Sequence, residues 1–230
     1  AGPAPATGGA LPTTVHAVLL DGATNSGKST WLHRVAKPWL DRAGLQQIHA
    51  TQYAYRSRPL PVGYEWGATG EPTALHAIRF HDISGEKPEG VADHLEALGA
   101  ELRRAGRSRP ASAVVALLVW DMADPMRSRE HSTIKRLRMA YATRTARPLV
   151  RHIVVLFNKV DLIPAADLPR LIAFETEHLR SVTSFLGDDV SLSFIEGSAL
   201  DGRGVIEAYG AILERLGLAQ RLRPFEEEAP

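Results

Sequence analysis

The stretch "DGATNSGKST", Asp21 to Thr30, holds Gly22, then four residues, then Gly27, Lys28 and Ser29. That is the G-x-x-x-x-G-K-S spacing of a phosphate-binding loop. Glycines let backbone N–H groups converge on an anion with no Cβ in the way, and a following helix adds its own N–H groups and partial positive charge. In that geometry Lys28 reaches the β- and γ-phosphates and the Ser29 hydroxyl ligates Mg²⁺. The intervening Thr24, Asn25 and Ser26, with Thr30 behind them, complete the expected nucleotide contacts.

A second set of residues speaks to the base. "RHIVVLFNKVDLIP" ends an apolar run in Asn158, Lys159, Val160 and Asp161. The Asp161 carboxylate can accept from both N1–H and the 2-amino group of guanine. Adenine lacks the 2-amino group, so the same carboxylate would be poorly paired there, and a site built to hydrogen-bond a group rejects analogues without it. The Lys159 stem can lie along the base plane, and the Asn158 amide can tie this loop to the phosphate loop. "GSAL" follows with Ser198, Ala199 and Leu200, small enough at its centre for backbone N–H groups to approach guanine O6. A third stretch, "HDISGEKPEG", puts Asp82 at a strand end, where it can hold Mg²⁺ through a water. Gly85 there can offer its N–H to a γ-phosphate, and Glu86 follows.

Loops of this kind need a scaffold. Apolar runs at 15–20, 74–80, 113–120, 153–157 and 192–195 are short and mostly rich in Val, Ile, Leu or Phe. They read as strands buried on both faces of a largely parallel sheet. Stretches at 29–43, 91–105, 126–145, 165–186 and 204–216 have helical length and pattern. The alternation predicts an α/β three-layer fold. Residues 46–73, rich in aromatics, proline and glycine, break the rhythm. There 62–66 reads as an edge strand, and "GATGEP" as its turn back into 74–80, giving one antiparallel hairpin. Residues 1–14 read as a flexible Ala/Pro/Gly-rich leader, 15–220 as one domain and 221–230 as a frayed acidic tail.

At this point the chain resembles the P-loop GTPases of the Ras-like group over roughly residues 15–216. "GATNSGKST" matches that group's first motif, "DISG" its third, "NKVD" its fourth and "GSAL" its fifth; "SALDGRGVIEAYGAI" is similar to its last strand-to-helix passage. The long aromatic region 46–73 and "ISGE" also resemble bacterial Ras-like domains carried in multidomain proteins. The resemblance implies a six-stranded mixed sheet with helices on both faces, GTP and GDP as ligands with Mg²⁺, and a cytosolic molecular switch that hydrolyses GTP slowly and answers to a protein effector or activator. It assigns catalytic roles to Lys28, Gly85 and Glu86. It also implies a first-switch Thr on Mg²⁺ upstream of the hairpin; Thr51 is the preferred candidate and Ser57 the alternative, and no local motif decides between them. Glu86 departs from the pattern, since many relatives carry a Gln there that orients the attacking water.

Two rival functions stand beside this one: a non-hydrolysing GTP-binding scaffold, and a P-loop ATPase or kinase. The bulk composition excludes others. The chain has 230 residues, a net charge of +1 and no cysteine, which rules out a disulfide scaffold, cysteine-ligated zinc and a prenylated tail. No run approaches the ~18 apolar residues of a membrane span, so no direct membrane anchor is expected. Residues 126–151 carry eight basic residues against one acid. They read as a solvated charged face in preference to a docking surface, and without interleaved aromatics they do not suggest nucleic acid.

Overall fold

The computed structural model describes residues 11–36, 55–82, 98, 114–130, 150–187, 190–220 and 222–223. Its frame is one mixed sheet. The long strands are β1 (Thr13–Asp21), β3 (Leu60–Trp66), β4 (Pro72–Asp82), β5 (Val114–Asp121), β6 (Val150–Asn158) and β7 (Ser191–Glu196); β2 (Tyr55–Arg56) and β8 (Leu222–Arg223) are two-residue additions. The spatial order is β7-β6-β5-β1-β4-β3-β8, with β2 also on β4. The pairs β1·β4, β1·β5, β5·β6 and β6·β7 are parallel, whereas β4 pairs antiparallel with β3 and β2. The expected hairpin is therefore present, with its turn at residues 67–71.

The alternation of each strand divides the core into two layers. Ala17, Leu19, Leu118, Trp120 and Phe157 pack on one face together with Leu98 and with Leu179 of α3 (Leu168–Thr183). On the other face, Val18, Leu20, Phe80, Leu117 and Val119 pack against Trp31 and Leu32 of α1 (Lys28–Ala36) and against Ala208 and Ile212 of α4 (Val205–Arg215). Helices on both faces bury every residue of β5, which accounts for its unbroken apolar run. Trp31 is fully buried and meets Phe80 edge-on, with ring centroids 5.6 Å apart.

The ends of the domain differ from expectation. β1 begins at Thr13, inside the stretch read as leader, because Thr13 pairs with Leu75 and Leu75 N–H donates to Pro12 O at 3.0 Å. Leu222 and Arg223, read as tail, pair with Glu65 and Tyr64 and so cover part of the edge of β3. The helices expected at 29–43, 91–105 and 126–145 are described only at α1, at Leu98 and at α2 (Pro125–Glu130). In α2, Arg129 is engaged inward: its guanidinium pairs with the fully buried Glu175 and lies 4.7 Å from the Phe174 ring centroid. One member of the basic stretch thus pins α2 to α3.

A chain of polar groups crosses the sheet among the apolar residues. His16 Nε2 lies 3.0 Å from His76 Nδ1, the two rings stack, and His76 Nε2 lies 3.1 Å from Glu65 Oε2. The carboxylate only accepts, so His76 carries its proton on Nε2 and His16 donates from Nε2. A second proton on His16 would go to Nδ1, which is buried and has no acceptor among the described residues. Burial, reinforced by the neighbouring His76, lowers the His16 pKa to about 4. The neutral form is therefore favoured in the fold, while the unfolded chain takes up a proton below about pH 6.5. Stability should fall as pH drops from about 6.5 to about 4, by roughly 3 kcal/mol in full, and level off below. Urea unfolding at half-unit pH steps measures this, and His16→Leu should flatten the slope in that window.

Candidate functional site

The carboxyl edge of the sheet gathers the chemistry. β1, β4, β5 and β6 end in Asp21, Asp82, Asp121 and Asn158, and register sets Leu20 beside Asp82 and Asp121 beside Asn158. Open α/β sheets bind ligands at this edge.

The loop after β1 bends sharply. Gly22 has φ +148°, Asn25 φ +64° and Gly27 φ +97°, and Ser26 N–H closes a turn on Ala23 O at 3.1 Å. The glycines at its two ends are required by packing as well as by backbone angle. A Cβ on Gly22 would stand 2.4 Å from Val119 O, and one on Gly27 would stand 2.2 Å from Asn158 Nδ2. α1 starts at Lys28 with its first backbone bond from Trp31 N–H to Gly27 O at 2.9 Å, so the N–H groups of the first turn, which includes Ser29 and Thr30, face the loop. Lys28 is buried, and its Nζ donates to Gly22 O at 2.8 Å and Ala23 O at 3.0 Å. Ser29 Oγ and Asp82 Oδ2 stand 3.3 Å apart. A hydroxyl and a carboxylate at that separation are the hard oxygen donors Mg²⁺ prefers, so the pair fits the ion as direct ligand and water-mediated partner.

Asn158 joins three loops. It is buried, its Nδ2 donates to Ser26 O at 2.6 Å, and its Oδ1 accepts from Ala199 N–H at 2.7 Å. Lys159 follows in the left-handed region at φ +65°, which costs a non-glycine residue about 1–2 kcal/mol. The conformation is held from both sides: Lys159 Nζ donates to Asp121 Oδ2 at 2.5 Å, and Val160 N–H to Gly197 O at 3.2 Å. Asp161 is exposed in the 3₁₀ turn Val160–Leu162. The 198–204 loop is closed by Ser198 N–H to Arg203 O at 2.9 Å and Gly202 N–H to Ser198 O at 2.8 Å.

Several sequence expectations are revised here. Ala199 N–H, expected to approach the base, is donated to Asn158 Oδ1. Ser57, the alternative to Thr51, lies at the β4 edge, where its hydroxyl accepts Phe80 N–H at 2.9 Å and donates to Arg58 O at 2.9 Å. Thr51, Gly85 and Glu86 lie outside the described residues. The sequence reading also missed three contributors. Asp21 Oδ1 accepts Gly22 N–H at 2.7 Å. Asp121, besides holding Lys159, accepts Ala123 N–H at 3.0 Å and Asp124 N–H at 3.3 Å on Oδ1. Arg34, on the last turn of α1, donates to Ala199 O and Leu200 O. The two aspartates had a signal, an acid terminating an apolar strand; Arg34 had none.

No protein-family model matches the chain.

Asn158→Ala should destabilise the fold by about 2–4 kcal/mol, because the Ser26 carbonyl and the Ala199 N–H would both lose their buried partner. Chemical denaturation in the absence of nucleotide measures this directly.

Proposed function

We propose that the chain is a GTP-binding molecular switch that takes GTP and GDP with Mg²⁺, hydrolyses GTP slowly and works in the cytosol with a protein effector or activator. The observation that carries this reading is the Asn158 amide, which joins the phosphate loop to the 198–204 loop and holds the strand end bearing Lys159 and Asp161 beside both. A phosphate cradle and a guanine-reading carboxylate are then parts of one rigid unit. The Ser29–Asp82 pair supports Mg²⁺ at the end of that cradle, where the ion would neutralise phosphate charge. Lys28 supplies positive charge from the same loop.

In this reading the segment after Asp82 holds the γ-phosphate through Gly85 N–H, and loss of that phosphate releases the segment. Binding and release are the switch; the rate of hydrolysis is its timer.

Asp161 sets the choice of base. Asp161→Asn should weaken GDP binding and shift preference towards xanthine nucleotides, whose C2 carbonyl requires a donor. Competition of GDP, XDP and ADP against a fluorescent GDP on wild type and variant reads this out. Wild type that binds ADP as tightly as GDP would overturn the Asp161 assignment and favour the ATPase or kinase alternative.

Glu86 sets the timer. A Gln can donate to the transferring phosphoryl group and accept from water, while an ionised Glu only accepts and is repelled by the phosphate. The isolated protein should therefore turn over at about 10⁻⁴–10⁻³ s⁻¹ or below, and Glu86→Gln should be faster. Single-turnover hydrolysis at several pH values tests it; a fast wild type slowed by the substitution would make Glu86 a general base.

A further inference from the structure

The loop that meets the base edge is oriented by a residue on the other side of it. Arg34 Nε donates to Ala199 O at 3.5 Å and Nη2 donates to Leu200 O. The guanidinium lies over Gly202, with Nε 3.8 Å from the point where a Cβ on that residue would stand. The carbonyl of Ala199 and the N–H of Leu200 belong to one planar trans peptide, so they point in opposite directions. A cation that draws the Ala199 carbonyl towards α1 turns the Leu200 N–H away from α1. The same charge polarises the peptide and strengthens that N–H as a donor. Ala199 N–H is committed to Asn158 Oδ1 at 2.7 Å and Asp201 N–H to Ser198 Oγ at 3.2 Å, and Leu200 N–H lies between them in the chain.

We infer that Arg34 is a positioning residue for recognition of the purine C6 oxygen, acting through the 199–200 peptide. This rests on the guanine-nucleotide reading above. It assigns the C6 carbonyl to Leu200 N–H under the control of Arg34, and the adjacent N1–H and 2-amino group to Asp161, so two parts of one edge of the base are read by separate residues.

The separation makes a test possible with two probes. GDP carries the C6 oxygen; the 2-aminopurine riboside diphosphate keeps the 2-amino group but lacks that oxygen and, with it, the N1 proton, so each variant is compared with wild type on the same probe. Affinities and dissociation rates of both are measured on wild type, Arg34→Met and Arg34→Lys, alongside thermal unfolding without nucleotide. Arg34→Met keeps the aliphatic stem and removes the fork. It should raise the GDP dissociation rate about tenfold, the scale of one charge-assisted hydrogen bond. Affinity for the 2-aminopurine probe should stay within about twofold, since no C6 oxygen is left to lose. Arg34→Lys, which keeps a charge near the carbonyls but not the fork, should fall between, and gives the same comparison if the Met variant does not fold. GDP binding unchanged in both variants, or both probes weakened alike, overturns the inference and leaves the guanine reading standing. A wild type that binds no guanine nucleotide overturns both.

Discussion

A single buried amide constrains everything at the carboxyl edge of the sheet. Asn158 uses a donor and an acceptor on one rigid plane to hold Ser26 O and Ala199 N–H, two groups far apart in sequence. Neither backbone group can leave without stranding a buried polar partner, at a cost of about 1–3 kcal/mol each. The phosphate loop and the 198–204 loop are therefore locked to the end of β6 and to each other. The constraint propagates outward. Residue 27 must be glycine because the amide occupies the space of its Cβ. The loop can then only turn through positive φ at Asn25 and Gly27, and that turn delivers Lys28 to the carbonyls of Gly22 and Ala23.

The same edge concentrates charge at a place with little water to screen it. Asp21, Asp82 and Asp121 end neighbouring strands and are all almost fully buried. Carboxylates in such a row disfavour one another unless each is answered. Asp21 accepts the Gly22 N–H, Asp82 meets the Ser29 hydroxyl, and Asp121 takes two backbone N–H groups on one oxygen and the Lys159 ammonium on the other. The third arrangement does local work by holding Lys159 in a left-handed conformation that its side chain does not favour. The acid at the end of β5 thereby sets the shape of the turn that presents Asp161.

The parts legible in the sequence are those where a local pattern strongly favours one structural outcome. Short Val-, Ile- and Leu-rich runs favour buried strands, and glycines spaced around Lys28 favour a tight strand-to-helix turn. The hairpin was legible because "GATGEP" leaves a chain little choice but to reverse. Roles settled by long-range pairing were not legible. Nothing local to Ser57 says that its hydroxyl will close on Phe80, and nothing local to Leu222 says that it will pair with Glu65. Arg34 is the clearest case. On α1 it reads as one more helix-end cation, and only the fold brings its guanidinium to carbonyls 165 and 166 residues away.

Topology also bears on how two distant segments could act together. β2 pairs antiparallel with the end of β4, Tyr55 opposite Asp82 and Arg56 opposite His81. The backbones of Tyr55 and Asp82 are thus neighbours across the β2–β4 pair. The segment carrying Thr51 ends at the first of these anchors, and the segment carrying Gly85 and Glu86 begins at the second. Asp82 is itself the residue facing Ser29 across 3.3 Å. In the proposed reading, an ion held between Ser29 and Asp82 would therefore sit beside the β2–β4 pair, next to both of these anchors. In the proposed switch, displacing Asp82 would strain the β2–β4 pairing directly, because Asp82 is itself paired with Tyr55.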